Sequence, residues 1–417
     1  MIRILAYMDF MCPSGFGTVA HNVWDRLTPW LMENDIEVEV AALNYAGNPV
    51  HQYNSNIKVI DPGAFARNMD DNYYRDGATE MAAIGDYDLV WMMNDVPILG
   101  PMARFFKQIN DQRRLNGQKT FKTVIYSPID SVPYVRYFKH LEFFDRIFTY
   151  TEYGKHEFEK AYLSQSDKII QVGIIGHGID DKSYYPLTIP QNSLKSKFDL
   201  PTDAFVFGHI NRNQPRKDLG GTLIAYSKFK EWHSKSKYQD QKIALYLHCD
   251  PEELNGINLY VATERAGLRI GRDVFLPNLK KYTGSGYSKS ELNEVYNSLD
   301  CFVTTTTAEG WGLTVTEAMS CGLPIICGLH TSLNEITNNG ELVYGCKDLI
   351  PFIQNEDGEN IRWKLNPEEV CQKMIEVYTD NLERGIKRHD YTAKLSEYNW
   401  DEIAQKWQSC FHELLFG

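Results

Sequence analysis

Two carboxylates, Glu309 and Glu317, bracket a glycine-bearing turn, Gly310-Trp311-Gly312, and the start of an apolar helix at Leu313. The glycines leave backbone N–H groups uncovered and allow a ligand to approach closely. The helix N-terminus behind them favours phosphate or developing negative charge. Carboxylates beside such an anion site repel phosphate, but they accept hydrogen bonds from hydroxyl groups. A ligand that satisfies both features is a nucleotide bearing a sugar. A second set of chemical groups lies upstream, where Arg212, Arg216 and Lys217 follow the apolar run Ala204–Ile210. Three cations at one strand end repel one another unless an anion lies between them. A planar Arg fork with a Lys point charge suits a diphosphate, and a solvated surface cluster is the alternative.

The elements that must position these groups follow from the apolar pattern. Cys301–Thr306 is a β-branched run that reads as a buried parallel strand. The helix from Leu313 stops at Cys321–Gly322, with Pro324 beyond it, and Leu323–Cys327 is a further strand. Strand, loop, helix and strand form the repeating piece of a doubly wound α/β sheet, which binds ligands at the carboxyl ends of its strands. The same alternation opens the chain. The strand Ile2–Met8 leads into a loop with Gly15 and Gly17, then a helix carrying Val19, Val23, Trp24 and Leu27. This loop is not G-x-G-x-x-G, and no acidic residue closes the next strand, Glu37–Leu43, which argues against a dinucleotide site. Further strands are expected at Asp88–Met93, Thr123–Ser127, Ile147–Tyr150, Ile169–Ile175, Ile243–His248 and Asp273–Leu276. Helices are expected at Leu219–Glu231, Glu291–Ser298, Pro367–Asn381 and Trp400–Leu415. Pro186–Pro201 reads as a linker. Asp86-Tyr87-Asp88 spells D-x-D, but it precedes its strand and so faces the wrong end of the sheet for a metal–nucleotide site.

The bulk numbers bound the function. A chain of 417 residues exceeds one ordinary core and predicts two domains. A net charge of −12 argues against a general nucleic-acid binder. With no apolar run long enough to span a bilayer and no signal pattern in MIRILAYMDF, the expectation is a soluble, cytoplasmic protein. The eight cysteines are scattered without a C-x-x-C pair and read as buried thiols.

Glu309-Gly310-Trp311-Gly312-Leu313, with Glu317-Ala318-Met319 and Gly322-Leu323-Pro324, resembles the E-x7-E signature of retaining glycosyltransferases of the GT-B fold, nearest to family 4, the "group 1" type. Gly15–Gly17, His177-Gly178-Ile179-Asp180 with Tyr185-Pro186, the Arg212 and Lys217 pair, and Asp300–Val303 match the same family in order. The resemblance implies two Rossmann-like doubly wound domains facing across a cleft. Residues 1–186 would form the acceptor side, completed by the C-terminal helix 400–417, and residues 187–399 the donor side. It implies that Arg212 and Lys217 hold the diphosphate and stabilise the leaving group. Glu309 would contact donor-sugar hydroxyls, and the backbone of Gly310, Trp311, Gly312 and Leu313 would border sugar and phosphates. Glu317 would accept from the ribose, and Gly15 and Gly17 would border the donor phosphate. Many relatives carry a His after the fourth strand of the first domain. This sequence reads Tyr126-Ser127-Pro128-Ile129-Asp130, so Asp130 is the candidate for that position. The loop Asp9–Pro13 is a further candidate acceptor contact.

The expected reaction is transfer of a hexose, with retention, from a nucleotide-diphosphate sugar to a hydroxyl of a glycan, lipid or protein. GDP-mannose is the expected donor and UDP-glucose the alternative. No cofactor or metal is expected, because cations and helix dipole replace it. Membrane contact and oligomeric state stay open. The rival readings are a nucleotide-sugar epimerase, which needs acid–base residues on both faces of the sugar, and a non-catalytic nucleotide-sugar-binding protein.

Overall fold

The computed structural model describes residues 1–12, 14–44, 50–66, 73–354 and 359–417. The chain divides into two compact units. One comprises Met1–Gly178, Asn355–Asn360 and Tyr398–Gly417, and the other Ile179–Gln354 and Ile361–Glu397.

The sheet of the first unit is built from β1 (Ile2–Asp9), β2 (Ile36–Leu43), β3 (Val50–Gln52), β4 (Ile57–Ile60), β5 (Leu89–Met93), β6 (Lys122–Tyr126), β7 (Arg146–Thr149) and β8 (Val172–Ile174). Their spatial order is β3-β4-β2-β1-β5-β6-β7-β8. All neighbours run parallel except β3 against β4. Central parallel strands are covered on both faces, so they read as continuous apolar runs; Ile4 to Met8 are all fully buried. The C-terminal helix Trp400–Phe416 belongs to this unit. Its Trp407 ring packs 5.4 Å from Trp91 and 4.9 Å from Tyr126, and Phe411 stacks on Trp24 of the first helix, Gly15–Glu33. Asp86-Tyr87-Asp88 lies at the amino end of β5. There Tyr87 donates to Glu39 and Asp88 pairs with Lys119, which are structural roles.

The second unit contains β9 (Ala204–Ile210), β10 (Lys242–His248), β11 (Val274–Phe275), β12 (Cys301–Val303), β13 (Ile325–Gly328) and β14 (Tyr344–Cys346). Their order is β11-β10-β9-β12-β13-β14, and every pair is parallel. From β9 the chain winds outward to β10 and β11; from β12 it winds the other way to β13 and β14. The strand order therefore reverses between β9 and β12, the point where doubly wound sheets leave a crevice for ligand. In the first unit the reversal lies between β1 and β5.

Several sequence expectations are corrected. The strand expected over Cys301–Thr306 ends at Val303, and Thr305, Thr306 and Thr307 beyond it spend their hydroxyls on loop carbonyls. The linker Pro186–Pro201 contains a helix, Gln191–Lys197. Leu194 packs inward there, and Lys195 reaches Asp300 Oδ2 at 2.7 Å. Beyond β14 the chain forms a two-stranded ribbon, β15 (Leu349–Gln354) with β16 (Asn360–Leu365), for which the sequence pattern predicts no strand. No described helix is long and apolar enough to cross a membrane.

Candidate active site

The loop after β9 and the loop after β12 start from adjacent strands at the reversal point, which brings distant residues together. A run of threonines stitches the two loops. Thr305 Oγ1 donates to the Asp218 carbonyl at 2.7 Å, and Thr307 gives its N–H to the Arg216 carbonyl at 2.8 Å. Thr222 joins Thr305 at 2.7 Å and His209 at 2.8 Å. The first two bonds satisfy backbone groups that have no strand partner.

The stitched loops present Glu309 to the cations. Lys217 Nζ donates to Glu309 Oε1 at 2.5 Å, and Arg216 Nη1 lies 3.1 Å from Oε2 and 2.6 Å from the Ala308 carbonyl. Burial alone would raise the Glu309 carboxyl, but Lys217 and Arg216 overcome it and hold the group at about 2. Glu309 is therefore ionised throughout the neutral range. Its backbone is fixed from the start of the helix Thr331–Ile336 after β13, where its N–H reaches Thr331 Oγ1 at 3.2 Å and its carbonyl accepts from Ser332 Oγ at 2.8 Å.

Gly312 caps the helix Leu313–Ser320 in the left-handed region, at φ 101°. That backbone favours glycine, and a Cβ there would also crowd Leu333 Cδ2 at 2.7 Å. No side chain caps this helix. The first N–H groups of a helix have no intrahelical acceptor, so this end supplies donors and positive potential.

Glu317 sits on the helix and faces a different set of groups. Tyr296 Oη donates to Glu317 Oε2 at 2.7 Å, with the Tyr184 ring edge-on to Tyr296 at 5.7 Å. Burial raises the Glu317 carboxyl to about 7, against the opposing pull of the tyrosine hydroxyls and Lys289. One carboxylate is thus held charged by cations, and the other is poised to change charge near neutrality.

Arg212 is not in the Glu309 cluster. It is exposed and pairs with Glu253 at 2.6 Å. Arg216, which sequence reasoning placed only in the general cation cluster, takes the position beside Lys217. The signal was present: Arg216 and Lys217 are adjacent at the end of the loop, whereas Arg212 stands at its beginning. Thr331 and Ser332 were missed because their support acts through the Glu309 backbone, which no side-chain motif reveals.

In the first unit, Ser14 caps the helix bearing Gly15 and Gly17 by accepting the Gly17 N–H at 2.9 Å. Gly17 is required by close approach, since a Cβ would meet the Cys12 carbonyl at 2.4 Å. Asp9 anchors the loop by accepting from Ser14 Oγ at 2.7 Å and from Asn44 Nδ2 at 3.0 Å. Within Asp9–Pro13, Pro13 lies outside the described residues. Asp130 follows β6 at its carboxyl end and is half-buried.

Residues 276–384 match the sequence model of the family described as glycosyl transferases group 1. The O-antigen chain mannosyltransferase B of Escherichia coli is 27% identical over 235 residues, 54% of each chain. A probable sucrose-phosphate synthase of Thermosipho melanesiensis is 22% identical over 275 residues, 63% of this chain and 50% of that one. The chain spans about half the length of these curated relatives. Among solved structures, sucrose-phosphate synthase from Thermosynechococcus elongatus superposes with a TM-score of 0.70 at 16% identity, covering 99% of both chains. Anabaena HepE in complex with UDP-glucose superposes at 0.65 and 15% identity, covering 99% of this chain and all of that one. In fold the chain is of the GT-B type, and residues 276–384 are similar in sequence to the glycosyl transferases group 1.

Proposed function

We propose that the protein is a retaining glycosyltransferase that moves a hexose from a nucleotide-diphosphate sugar to an acceptor hydroxyl. The observation that carries this reading is the Lys217–Glu309–Arg216 cluster, set beside a helix start with no side-chain cap at the strand-order reversal. Glu309 keeps two cations in place before the donor arrives, so little reorganisation is needed when charge develops on the departing diphosphate. The same carboxylate offers acceptor oxygens to sugar hydroxyls. Arg212, exposed and on a flexible stem, would leave Glu253 for the diphosphate. Glu317 would accept from the ribose. With cations and helix dipole meeting the leaving group, no metal is invoked in the step.

The mannosyltransferase relative favours GDP-mannose as donor, and the fold neighbour holding UDP-glucose keeps that sugar nucleotide as the second choice. An epimerase would need acid–base groups on both sugar faces, and the cluster supplies charge stabilisation instead. Thermal unfolding with a panel of nucleotide sugars tests the reading. A ligand at 100 times its dissociation constant adds about 2.7 kcal/mol, and a panel that leaves the midpoint unmoved would reject it.

A further inference from the structure

The first unit carries a concave site that no step above uses. Residues 101–140 hold eight Lys and Arg against two Asp, a balance of +6, in a chain whose balance is −12. Arg104, Arg136 and Lys139 line a cavity of about 450 Å³ together with Phe105, Tyr137 and His140, and among the described residues no acidic side chain lines it. Small-molecule sites span about 300–1,000 Å³.

The walls of this cavity are fixed. The helix Met102–Leu115 buries Met102, Ala103 and Phe106, which turns Arg104 and Phe105 outward. Gly100 lets the backbone before that helix close on the opposite wall, where a Cβ would lie 2.5 Å from the Tyr137 carbonyl. The Arg136 guanidinium lies 4.9 Å and 4.8 Å from the Tyr134 and Tyr137 ring centres and donates to Tyr137 Oη at 2.7 Å. His140 is held in the left-handed region at φ 68°, its ring stacked on Phe143. Such backbone strain concentrates at ligand sites.

The cations differ in how they are occupied. Lys107 and Arg114 pair with Asp111, Arg113 is spent on the carbonyls of Ala82 and Gly85, and Arg136 feels Glu359. The side chains of Arg104 and Lys139 have no hydrogen bond or ion pair to any described residue. Two exposed cations without a partner among the described residues, beside aromatic faces, match a ring that carries both an apolar face and an acid group. An anionic pyranose is such a ring: its C–H face lies on aromatic surface, and its carboxylate or phosphate takes charge-assisted hydrogen bonds. A bilayer fits less well. The exposed apolar residues of this helix, Phe105 and Leu115, stand ten positions apart with charged residues between them, so no apolar stripe exists to insert.

We propose that this cavity binds an anionic sugar residue of a saccharide acceptor, its acid group held by Arg104 and Lys139 and its ring face laid against Tyr137 and Phe105. The role as acceptor rests on the glycosyltransferase reading; the binding itself does not.

The test is calorimetry on the full chain at low ionic strength, with three probes: a glucuronate-containing tetrasaccharide, its carboxyl-reduced neutral counterpart, and GDP-mannose. The acidic probe should bind about tenfold or more tightly than the neutral one. The double variant R104Q/K139Q should lose that preference while its unfolding midpoint and its GDP-mannose affinity match wild type. Equal binding of both saccharides, no binding of the acidic one, or an unchanged double variant would overturn the proposal. Sedimentation of wild type but not the double variant with phosphatidylglycerol vesicles, without saccharide binding, would also overturn it, in favour of a membrane surface. Acidic saccharide bound in the absence of any nucleotide-sugar binding would uphold the cavity and reject the glycosyltransferase reading.

Discussion

Lys217 and Glu309 stand 92 positions apart in sequence and meet in a buried ion pair, Nζ donating to Oε1. Each side chain is about one-tenth exposed. An isolated charge at this depth is costly, so each residue makes the other's burial tolerable. The loops that bear them are tied by threonine hydroxyls, and the tie places the pair where the sheet reverses its strand order.

Removing one partner should therefore act on stability and chemistry together. Lys217→Ala leaves Glu309 buried with only Arg216 for compensation, and Glu309→Ala leaves Lys217 without its carboxylate. Each should cost about 3–5 kcal/mol in denaturant unfolding. Each should also lower transfer by about 100- to 1,000-fold, the range for loss of one charge-stabilising group. Wild-type turnover in either variant would contradict the site assignment.

Arg212 offers a separate test because it is engaged elsewhere in the free protein. Glu253→Gln removes the carboxylate that competes for it. Affinity for nucleoside diphosphates, measured by calorimetry, should rise a few-fold, since an exposed pair is worth about 0–1 kcal/mol. Arg212→Ala should lower it. A loss of affinity in Glu253→Gln would show that Arg212 needs Glu253 to bind donor.

The Glu317 carboxyl gives a pH dependence with a defined sign. Its folded-state value, about 7, is above its ordinary 4.5. Between these limits the folded state binds more protons than the unfolded one, so stability is full at low pH and falls as pH rises through 7. The nucleotide should respond in the opposite direction. A ribose hydroxyl prefers the carboxylate, so affinity should rise as pH passes 7. In Glu317→Gln both dependences should flatten. A nucleotide affinity independent of pH in the wild type would count against the ribose role.

Gly312 tests the helix start. In Gly312→Ala the left-handed backbone costs about 1–2 kcal/mol, and the new methyl meets Leu333. The unfolding midpoint should drop accordingly, with donor affinity falling as the helix N-terminus shifts. An alanine variant as stable as wild type would show that the backbone relaxes there.

The main architecture was legible because its strands are continuous apolar runs and its helices carry stops such as Gly322 and Pro324. Ala204–Ile210 begins and ends where the sequence pattern places it. The short strand β11 is less clear, since two residues carry little periodicity. The ribbon of β15 and β16 carries little periodicity, because only its base, Leu349 and Leu365, joins the core while Ile350 and Ile353 point outward.

The site was legible in its residue types and less so in its pairings. Glu309, Gly312 and Lys217 stand out because their chemistry is unusual for strand ends. Which arginine joins them depends on the turn Pro215–Lys217 and on the left-handed Asp218 that follows, at φ 45°. That turn directs Arg216 toward Glu309 and leaves Arg212 at the rim. Glu317 was legible in sequence as a site carboxylate, but its titration near neutrality was not: burial in the fold raises it to about 7 against the pull of the Tyr296 and Tyr184 hydroxyls.

The most direct test of the account follows the slow turnover of donor by water, read by proton NMR as the sugar is released, because this needs no knowledge of the acceptor. With GDP-mannose or UDP-glucose, both α-linked, the first-formed free sugar should be the α-anomer, and Lys217→Ala should abolish its release. Release of the β-anomer first, or release unaffected by Lys217→Ala, would contradict a retaining transferase built on the Lys217–Glu309 pair.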